Sequence, residues 1–419
     1  MITKSERFLL YWLLMLLALV VSVSSFDIIV DPYHVFDMPL LKGFNFHKTA
    51  AYGQEWLYKF YEVNRIKPKT ILLGSSRVAE GMDTHSSSWP PDKMPLYNLG
   101  LEAGMPYASF RYLQSLMSKH APESVVVGLD FEYFLNTLES QHTAVGDFES
   151  RLDVNADGSQ NANARRQHAL DFLQFALSYD ALLDSFATVV GNLRGDPADG
   201  VGGNEPDEGF LRDSMESGTF PIMEWINVIT VRRLDGARNQ FAMADLQQLL
   251  DLCESHGTQV TLYIHPMPAD TLEIIDFLGY WPMFEDWKRE LLGLVSKYPR
   301  RKTGSQVVLW DFSDYDVYST EAVRPDGQVL HWFWDSWHYT RALGDLIVKR
   351  MFGTSAIQFG TPLTRENIEP HLAKIRERRQ EYRMARKTDV DRVKAVLDAE
   401  IQVLKSPALE SRNQVAAAR

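Results

Sequence analysis

The sequence predicts an α/β protein in which helices cover both faces of a parallel sheet of about five strands. Aliphatic and β-branched runs recur along the chain, and stretches with helical periodicity lie between or after them. This alternation is typical of parallel strands joined by crossover helices. A chain of 419 residues with 45% hydrophobic side chains is long enough to bury such a core. The predicted strands are KTILLG (69–74), PLYNLG (95–100), SVVVGLDF (124–131), QVTLYIHP (259–266) and QVVLWDF (306–312).

The first thirty residues predict an amino-terminal membrane anchor. Lys4 and Arg7 precede an uncharged run over 8–26, which at about 1.5 Å per residue covers about 28 Å, close to the thickness of the bilayer core. The positive flank is expected to stay in the cytoplasm. The chain is then a single-pass protein of the inner or plasma membrane with a periplasmic main domain. The small-x-small segment Ser22–Ser24 leaves a cleaved signal peptide open as the alternative.

The α/β domain is predicted over residues 31–355, with a helical insertion at about 132–239 after the third strand. Two polar stretches rich in Gly, Asn and Asp flank a helical segment in this insertion, which we expect to cover or flank the functional site. DVNADG (153–158) begins like a calcium loop. Because Ala164 stands where the closing glutamate belongs, the cage is incomplete and no metal is expected.

Residues 356–419 predict a charged helical extension without a strand. Its sparse apolar positions are compatible with a solvated helical tail, with helices that lie against the main domain, and with an arm that reaches for a partner. The sequence leaves these three interpretations open.

Charge and cysteine content exclude several classes of protein. The formal net charge of −12 leaves no basic domain to neutralise phosphates, so nucleic acid is not expected as a partner. Cys253 is the single cysteine, which excludes an internal disulfide and a cysteine-based metal site. No cofactor is expected.

Two separated motifs together predict a serine nucleophile with its base. The first predicted strand ends in Gly74-Ser75-Ser76, at the edge of a parallel sheet where ligands bind. Asp335 and His338 form a D-x-x-H spacing just before the last helix of the α/β body. A serine nucleophile needs a histidine base, and the base needs a carboxylate that fixes its tautomer. Either motif alone often arises by chance, whereas both motifs in this order are much less expected by chance.

These motifs resemble those of the SGNH (GDSL-type) hydrolase superfamily, whose members have a flavodoxin-like three-layer body and a triad in the order Ser, Asp, His. Ser76 matches the nucleophile of the G-D-S block, and Asp335 and His338 match the final D-x-x-H block. The resemblance covers roughly residues 65–355. The segment NLGLEAG corresponds to the N-x-G-x-x-G block of the family. Its matching residues are Asn98, Gly100 and Gly104, and Gly104 is displaced by one residue from the family position.

At the third block, this chain departs from the family pattern. The family has an asparagine that helps the oxyanion hole, whereas this chain has Asp130 in GLD. An ionised carboxylate there would repel the developing oxyanion. Either Asp130 has another role, or the hole uses the amides of Ser76 and of a glycine from the second block.

Three further residues are candidates for the site. Arg77 is expected to steady an anionic substrate or to pair with a carboxylate such as Glu80. His265 follows the fourth strand at the ligand-binding edge. Trp337 stands in the D-x-x-H turn beside Trp332 and Trp334, where one ring is suited to stack on a sugar and all three are suited to packing.

The build also resembles membrane-anchored proteins of cell-surface polysaccharide O-acetylation, although in the alginate acetylation proteins acid and base precede the serine. The resemblance implies an acyl esterase or O-acetyltransferase that acts on a polysaccharide or another acylated glycan, with a membrane-bound acyltransferase as a possible partner class. The alternative is a weakly active or inactive glycan-binding or scaffolding protein of the envelope.

Overall fold

The computed structural model describes residues 3–48, 50–102, 104, 106–135, 146–195, 240–298, 307–322, 330–353 and 357–404. Parts of the predicted insertion (136–145 and 196–239) and the end of the predicted extension (405–419) lie outside the described residues. The chain divides into two compact units. One unit comprises 1–67 with 145–210, and the other comprises 68–144 with 211–419.

A six-stranded sheet organises the second unit. Its first five strands are parallel, and the sixth pairs antiparallel with the fifth. The five parallel strands lie close to their predicted bounds, so the predicted parallel sheet is confirmed. The sixth was not predicted, because its two residues carry no periodic signal. The strands are β1 (Thr70–Gly74), β2 (Leu96–Gly100), β3 (Ser124–Leu129), β4 (Gln259–Ile264), β5 (Val307–Asp311) and β6 (Thr361–Pro362).

Helices precede, separate and follow these strands. In chain order they are α1 (Lys4–Val30), α2 (Glu55–Ile66), α3 (Ser76–Gly81), α4 (Pro106–Met117), α5 (Gly146–Glu149), α6 (Ala164–Leu177), α7 (Tyr179–Arg194), α8 (Gln240–His256), α9 (Ala269–Phe277), α10 (Trp281–Val295), α11 (Arg341–Phe352), α12 (Ile368–Ala385) and α13 (Lys387–Leu404).

The strand order β2-β1-β3-β4-β5-β6 fixes where a site can form. In doubly wound sheets of order 2-1-3-4-5, ligands bind outside the carboxyl ends of the strands where the order reverses, here between β1 and β3. Strands β1, β2 and β3 are buried along their whole length, so their side chains serve the core. The residues that follow β1 and β3 are therefore the ones free to carry chemistry.

The first unit is helical and contains α1, whose length and apolar composition allow it to cross a membrane. A capping box between Thr3 and Glu6 starts this helix. Helices α6 and α7 pack on α1, and Tyr61 of α2 donates a 2.7 Å hydrogen bond to Asp171 of α6. Residues 31–67 and residues 146–195 of the predicted insertion therefore group with α1, whereas the sequence predicts a single domain over 31–355 for them.

The carboxyl-terminal extension belongs to the unit that contains the sheet, and its helices lie against that unit. Arg383 of α12 makes a 2.7 Å ion pair with Glu273 of α9, and Arg392 of α13 makes a 2.9 Å ion pair with Asp270 of the same helix. Beneath them His371 and Lys288 both contact Asp311 at the end of β5. Burial alone would raise the pKa of Asp311, but the charge of Lys288 and the contact with His371 lower it to about 2.

Candidate active site

A strained turn after β1 presents Ser76. Gly74 has φ +148°, a value that favours glycine, and a Cβ there would lie 2.5 Å from Cγ2 of Val78. Ser75 is the N-cap of α3, and its hydroxyl accepts a 3.3 Å hydrogen bond from the Arg77 N–H. Ser76 is the first residue of the helix and is partly exposed, while Ser75 is buried.

Ser76, His338 and Asp335 form a continuous chain of hydrogen bonds. The Ser76 Oγ lies 2.9 Å from Nε2 of His338, and Nδ1 of the same ring lies 2.7 Å from Oδ2 of Asp335. These distances place an aspartate, a histidine and a serine in the arrangement of a nucleophilic triad. The two motifs, 262 residues apart for Ser76 and His338, thus meet at one point of the fold.

The turn that carries Asp335 and His338 is held by its own backbone. The Trp334 N–H donates to the His338 carbonyl at 2.8 Å, and Phe333 forms an antiparallel bridge with Tyr339. Oδ1 of Asp335 accepts 2.6 Å hydrogen bonds from the N–H groups of Trp337 and His338. Burial raises the pKa of Asp335, but the His338 ring and these N–H donors outweigh it, so the net pKa is lowered and the carboxylate is ionised.

Glu80 is a second carboxylate beside the histidine, which sequence reasoning considered only as a partner for Arg77. Its Oε2 lies 3.7 Å from Nε2 of His338, and the residue is 3% exposed. Glu80 follows Ser76 by one helical turn of α3, and residues four apart share a helix face. That i, i+4 spacing is the signal by which the sequence alone identifies it.

Asn98, Gly100 and Gly104, the residues of the second block, support the turn after β1. The Asn98 side-chain amide donates to the carbonyl oxygens of Val78 and Met82, both at 2.9 Å, and its Oδ1 accepts from the Gly100 N–H at 2.9 Å. The Gly104 N–H donates to the Leu101 carbonyl at 2.8 Å. Both glycine N–H groups therefore have acceptors within the protein, and Asn98 fastens the end of β2 to α3.

The Ser76 N–H differs from these two glycine donors. Within the described ranges of the chain no group accepts a hydrogen bond from it. It belongs to the same residue as the nucleophilic hydroxyl, so it is available where a tetrahedral oxyanion would form.

Arg77 and Asp130 form a buried ion pair beneath the triad. Arg77 Nη1 lies 3.2 Å from Asp130 Oδ1, both side chains are 2% exposed, and Arg77 also donates to the Pro266 carbonyl. Arg77 is therefore held by groups of the protein, and its carboxylate partner is Asp130. The guanidinium balances the charge of Asp130, which gives the carboxylate a role other than that of the family's amide donor.

His265 is fully buried and does not line an accessible site. Its Nε2 lies 3.6 Å from Asp130 Oδ2, and in the described part of the chain neither ring nitrogen has a hydrogen-bond partner. Burial, together with the positive charges of Arg77 and His338, lowers the pKa of His265 well below its ordinary value. The imidazole is therefore neutral at physiological pH.

The sequence leaves both packing and sugar stacking open for Trp337, and in the structure its ring lies against Arg77. The residue is 8% exposed, and the guanidinium carbon of Arg77 lies 5.6 Å from the centroid of its ring. Trp334 is also buried, while Trp332 is partly exposed and contacts Tyr318 edge to face. Among the described residues no group of three or more His, Cys, Asp or Glu side chains is placed to hold a metal ion.

Comparisons with known proteins give no family for this chain. No protein-family model matches it, and no curated protein matches it either. The geometry of the site therefore carries the functional argument.

Proposed function

We propose that the protein is a serine acyl esterase or O-acyltransferase, anchored in a membrane, that acts on an acylated glycan of the cell envelope. The observation that carries the proposal is the hydrogen-bonded chain from Ser76 Oγ through His338 to Asp335, with links of 2.9 Å and 2.7 Å. The partly buried, ionised carboxylate directs the Nδ1 proton of His338 toward itself and leaves Nε2 to act as a base.

The proposed reaction has two acyl-transfer steps. Ser76 Oγ attacks the carbonyl carbon of an ester while Nε2 of His338 takes the hydroxyl proton, and the carbonyl electron pair moves onto the oxygen. When the tetrahedral intermediate collapses, His338 gives that proton to the departing alkoxide and the acyl group remains on Ser76. Water or a sugar hydroxyl then attacks, again deprotonated by His338, and Ser76 leaves with its proton restored.

The charges around the histidine suit this cycle. His338 becomes a cation during each transfer, and Asp335 and Glu80 flank it at 2.7 Å and 3.7 Å. Opposite charges at these distances stabilise the imidazolium that forms in the transition state. The Ser76 N–H is the oxyanion donor in this proposal, and Arg77 limits the repulsion that Asp130 would otherwise exert.

The proposed fold family remains the SGNH hydrolases. The strand order 2-1-3-4-5, a serine directly after β1 and a D-x-x-H turn directly before α11 support this assignment. The choice of a glycan as substrate rests on the resemblance to polysaccharide O-acetylation proteins and on the proposed location.

The proposed location is the outer side of the membrane, with α1 retained. The helix runs without a break through Ser22–Ser24 to Val30, and its end is buried against its own unit at Asp27 and Val30. Cleavage at that segment would cut a helix that is continuous over Lys4–Val30. Lys4 and Arg7 flank the apolar run on the side expected to remain cytoplasmic.

The test is acyl transfer by the purified full-length chain in detergent. With acetylated oligosaccharides as donor, release of acetate into water identifies an esterase, and transfer to an added unacetylated oligosaccharide identifies a transferase. Ser76→Ala is expected to remove either activity by about 10⁴-fold or more, and Ser75→Ala to cost far less. Equal activity of Ser76→Ala and the wild type would exclude this mechanism.

A further inference from the structure

The α6–α7 pair of the first unit carries large apolar side chains on its exposed face. On α7 they occur at spacings of four, three, four and three residues, which confines them to about 80° of the helix circumference. On α6 three leucines follow the same rule. We define the hairpin stripe as these eight residues, all exposed: Leu170, Leu173, Leu177, Tyr179, Leu183, Phe186, Val190 and Leu193.

The polarity of α7 is inverted relative to a helix on a soluble protein. Its buried face consists of small or polar residues, while Leu183 is 48% exposed and Leu193 is 72% exposed. A surface helix in water buries its apolar face and exposes its polar one. Contiguous exposed apolar surface marks a contact with a membrane or a partner. The buried residues are Ala181, Ser185, Thr188, Gly191 and Asn192.

Contacts with the end of α1 fix the height of the hairpin stripe. Phe186 of the stripe lies 4.9 Å, ring centroid to ring centroid, from Phe26 of α1. Phe26 is the last residue of the uncharged run, and that run covers about 28 Å, the thickness of the bilayer core. A bilayer that surrounds α1 therefore ends at the level of Phe186.

Further contacts hold the hairpin to the segment that follows α1. The hydroxyl of Tyr33 donates to Asp184 of α7, and the Tyr33 ring lies 4.9 Å from that of Phe175 in α6. Near the other end of α7, Asn192 donates to the His47 carbonyl at 2.7 Å and accepts from the His47 N–H at 2.9 Å. The stripe therefore has a fixed position relative to α1.

We propose that the hairpin stripe lies in the lipid interface of the same bilayer that α1 spans, so that the protein is held by one spanning helix and one interfacial hairpin. Amphipathic elements of this kind bury their apolar face about 5–10 Å into the boundary between headgroups and acyl chains. Exposed Arg165 and Arg166 at the start of α6 and Arg194 at the end of α7 supply cations for anionic headgroups. The contact of Phe186 with Phe26 joins the stripe to the end of the apolar run of α1, which favours lipid over a separate protein partner.

The test uses the full-length chain in liposomes of phosphatidylcholine and phosphatidylglycerol. Cys253 is buried and is replaced by alanine, so that single cysteines at Leu183, Leu193, Leu14 or Asp157 carry an environment-sensitive fluorophore. Lipids with a nitroxide near the headgroup or near the bilayer centre quench the fluorophore according to its depth. Asp157 is exposed in a polar turn of the same unit and serves as the water-facing control.

The shallow nitroxide is expected to quench labels at Leu183 and Leu193 at least about twofold more than the label at Asp157, and the deep nitroxide to quench Leu14 most. Stripe labels that are quenched no more than Asp157, while Leu14 is quenched, would overturn the interfacial hairpin and point to a protein partner or a second copy. An unquenched Leu14 would refute the spanning helix and the inference with it. Neither outcome bears on the proposed chemistry at Ser76.

Discussion

Gly81 and Gly344 bring α3 and α11 into backbone contact. A Cβ on Gly344 would overlap the carbonyl oxygen of Gly81, and a Cβ on Gly81 would lie 2.6 Å from Cδ2 of Tyr339. Ser76 opens α3, and His338 precedes α11 by three residues. The close approach of the two helices therefore sets the distance between the nucleophile and its base.

Widening this contact is expected to reduce activity more than it reduces stability. Gly344→Ala forces the helices apart, costs about 1–3 kcal/mol of unfolding free energy as an overpacked site, and lengthens the Ser76–His338 hydrogen bond. A displacement of about 1 Å at reacting groups lowers kcat by about 10²-fold. Lys349→Ala on the exposed face of α11 is the control. Wild-type kcat in a folded Gly344→Ala variant would contradict this role.

Neutralising Glu80 is expected to weaken catalysis without abolishing it. Glu80→Gln removes one of the two carboxylates that stabilise the His338 cation, so we expect kcat/KM to fall by about tenfold. The acid limb of the pH profile should shift to lower pH, because the histidine then holds its proton less tightly. Asp335→Asn is the reference and should cost about 10⁴-fold. A loss in Glu80→Gln with an unshifted pH profile would indicate a purely structural role.

Removing one member of the buried ion pair is expected to destabilise the protein. Arg77→Met leaves the Asp130 carboxylate buried without its cation, and breaking such a pair costs about 3–5 kcal/mol. The double variant Arg77→Met/Asp130→Asn should recover part of the loss. Thermal unfolding of the full-length chain measures both, with Lys387→Ala at an exposed ion pair as the control. Equal stability of Arg77→Met and the wild type would contradict the pairing.

His265 is expected to make stability depend on pH. In the folded chain, burial and nearby positive charge hold the pKa of His265 well below its ordinary value. As the pH falls, the histidine is therefore protonated in the unfolded chain while it stays neutral in the folded chain. The contribution of His265 to the free energy of unfolding is fully present above about pH 6.5. As the pH falls below this value, the free energy of unfolding decreases by up to about 1.4 kcal/mol per pH unit. His265→Gln should flatten the unfolding profile in this range. Exposed His256→Gln is the control and should leave it unchanged.

Local pattern was sufficient for the parallel strands and for the residues that follow them. Each of β1 to β5 coincides with an aliphatic or β-branched run of the sequence, and the parallel order places Ser76 and Asp130 near one reversal point. The meeting of Ser76 with His338 was inferred from motif order, and its physical cause is a contact between α3 and α11 that no local spacing encodes.

The burial of the polar residues near the site could be recognised only from the folded structure. Arg77, Asp130 and His265 are polar residues next to a predicted nucleophile, yet all three are buried and hold one another. The ring of Trp337 lies against the Arg77 guanidinium. Burial of this kind depends on side chains that come from β3, β4 and the turn before α11 together, so the sequence around any one residue does not reveal it.

The sequence also does not predict which helices pack together in each unit. The large apolar side chains of α7 mark one face of the helix, but the sequence does not say whether that face packs on α1 or stays exposed. The sequence shows that α12 and α13 are charged but does not show the partners of these charges. In the folded chain, arginines of both helices make ion pairs with carboxylates of α9.

The most direct test of the central claim is labelling of the full-length protein by a fluorophosphonate, which reacts with an activated serine and not with an ordinary one. We expect the wild type and Ser75→Ala to be labelled, with the adduct mapped to Ser76 by mass spectrometry. Ser76→Ala and His338→Ala should not be labelled, because one lacks the hydroxyl and the other lacks the base that activates it. Undiminished labelling of Ser76→Ala, or a wild type that does not react, would contradict the account.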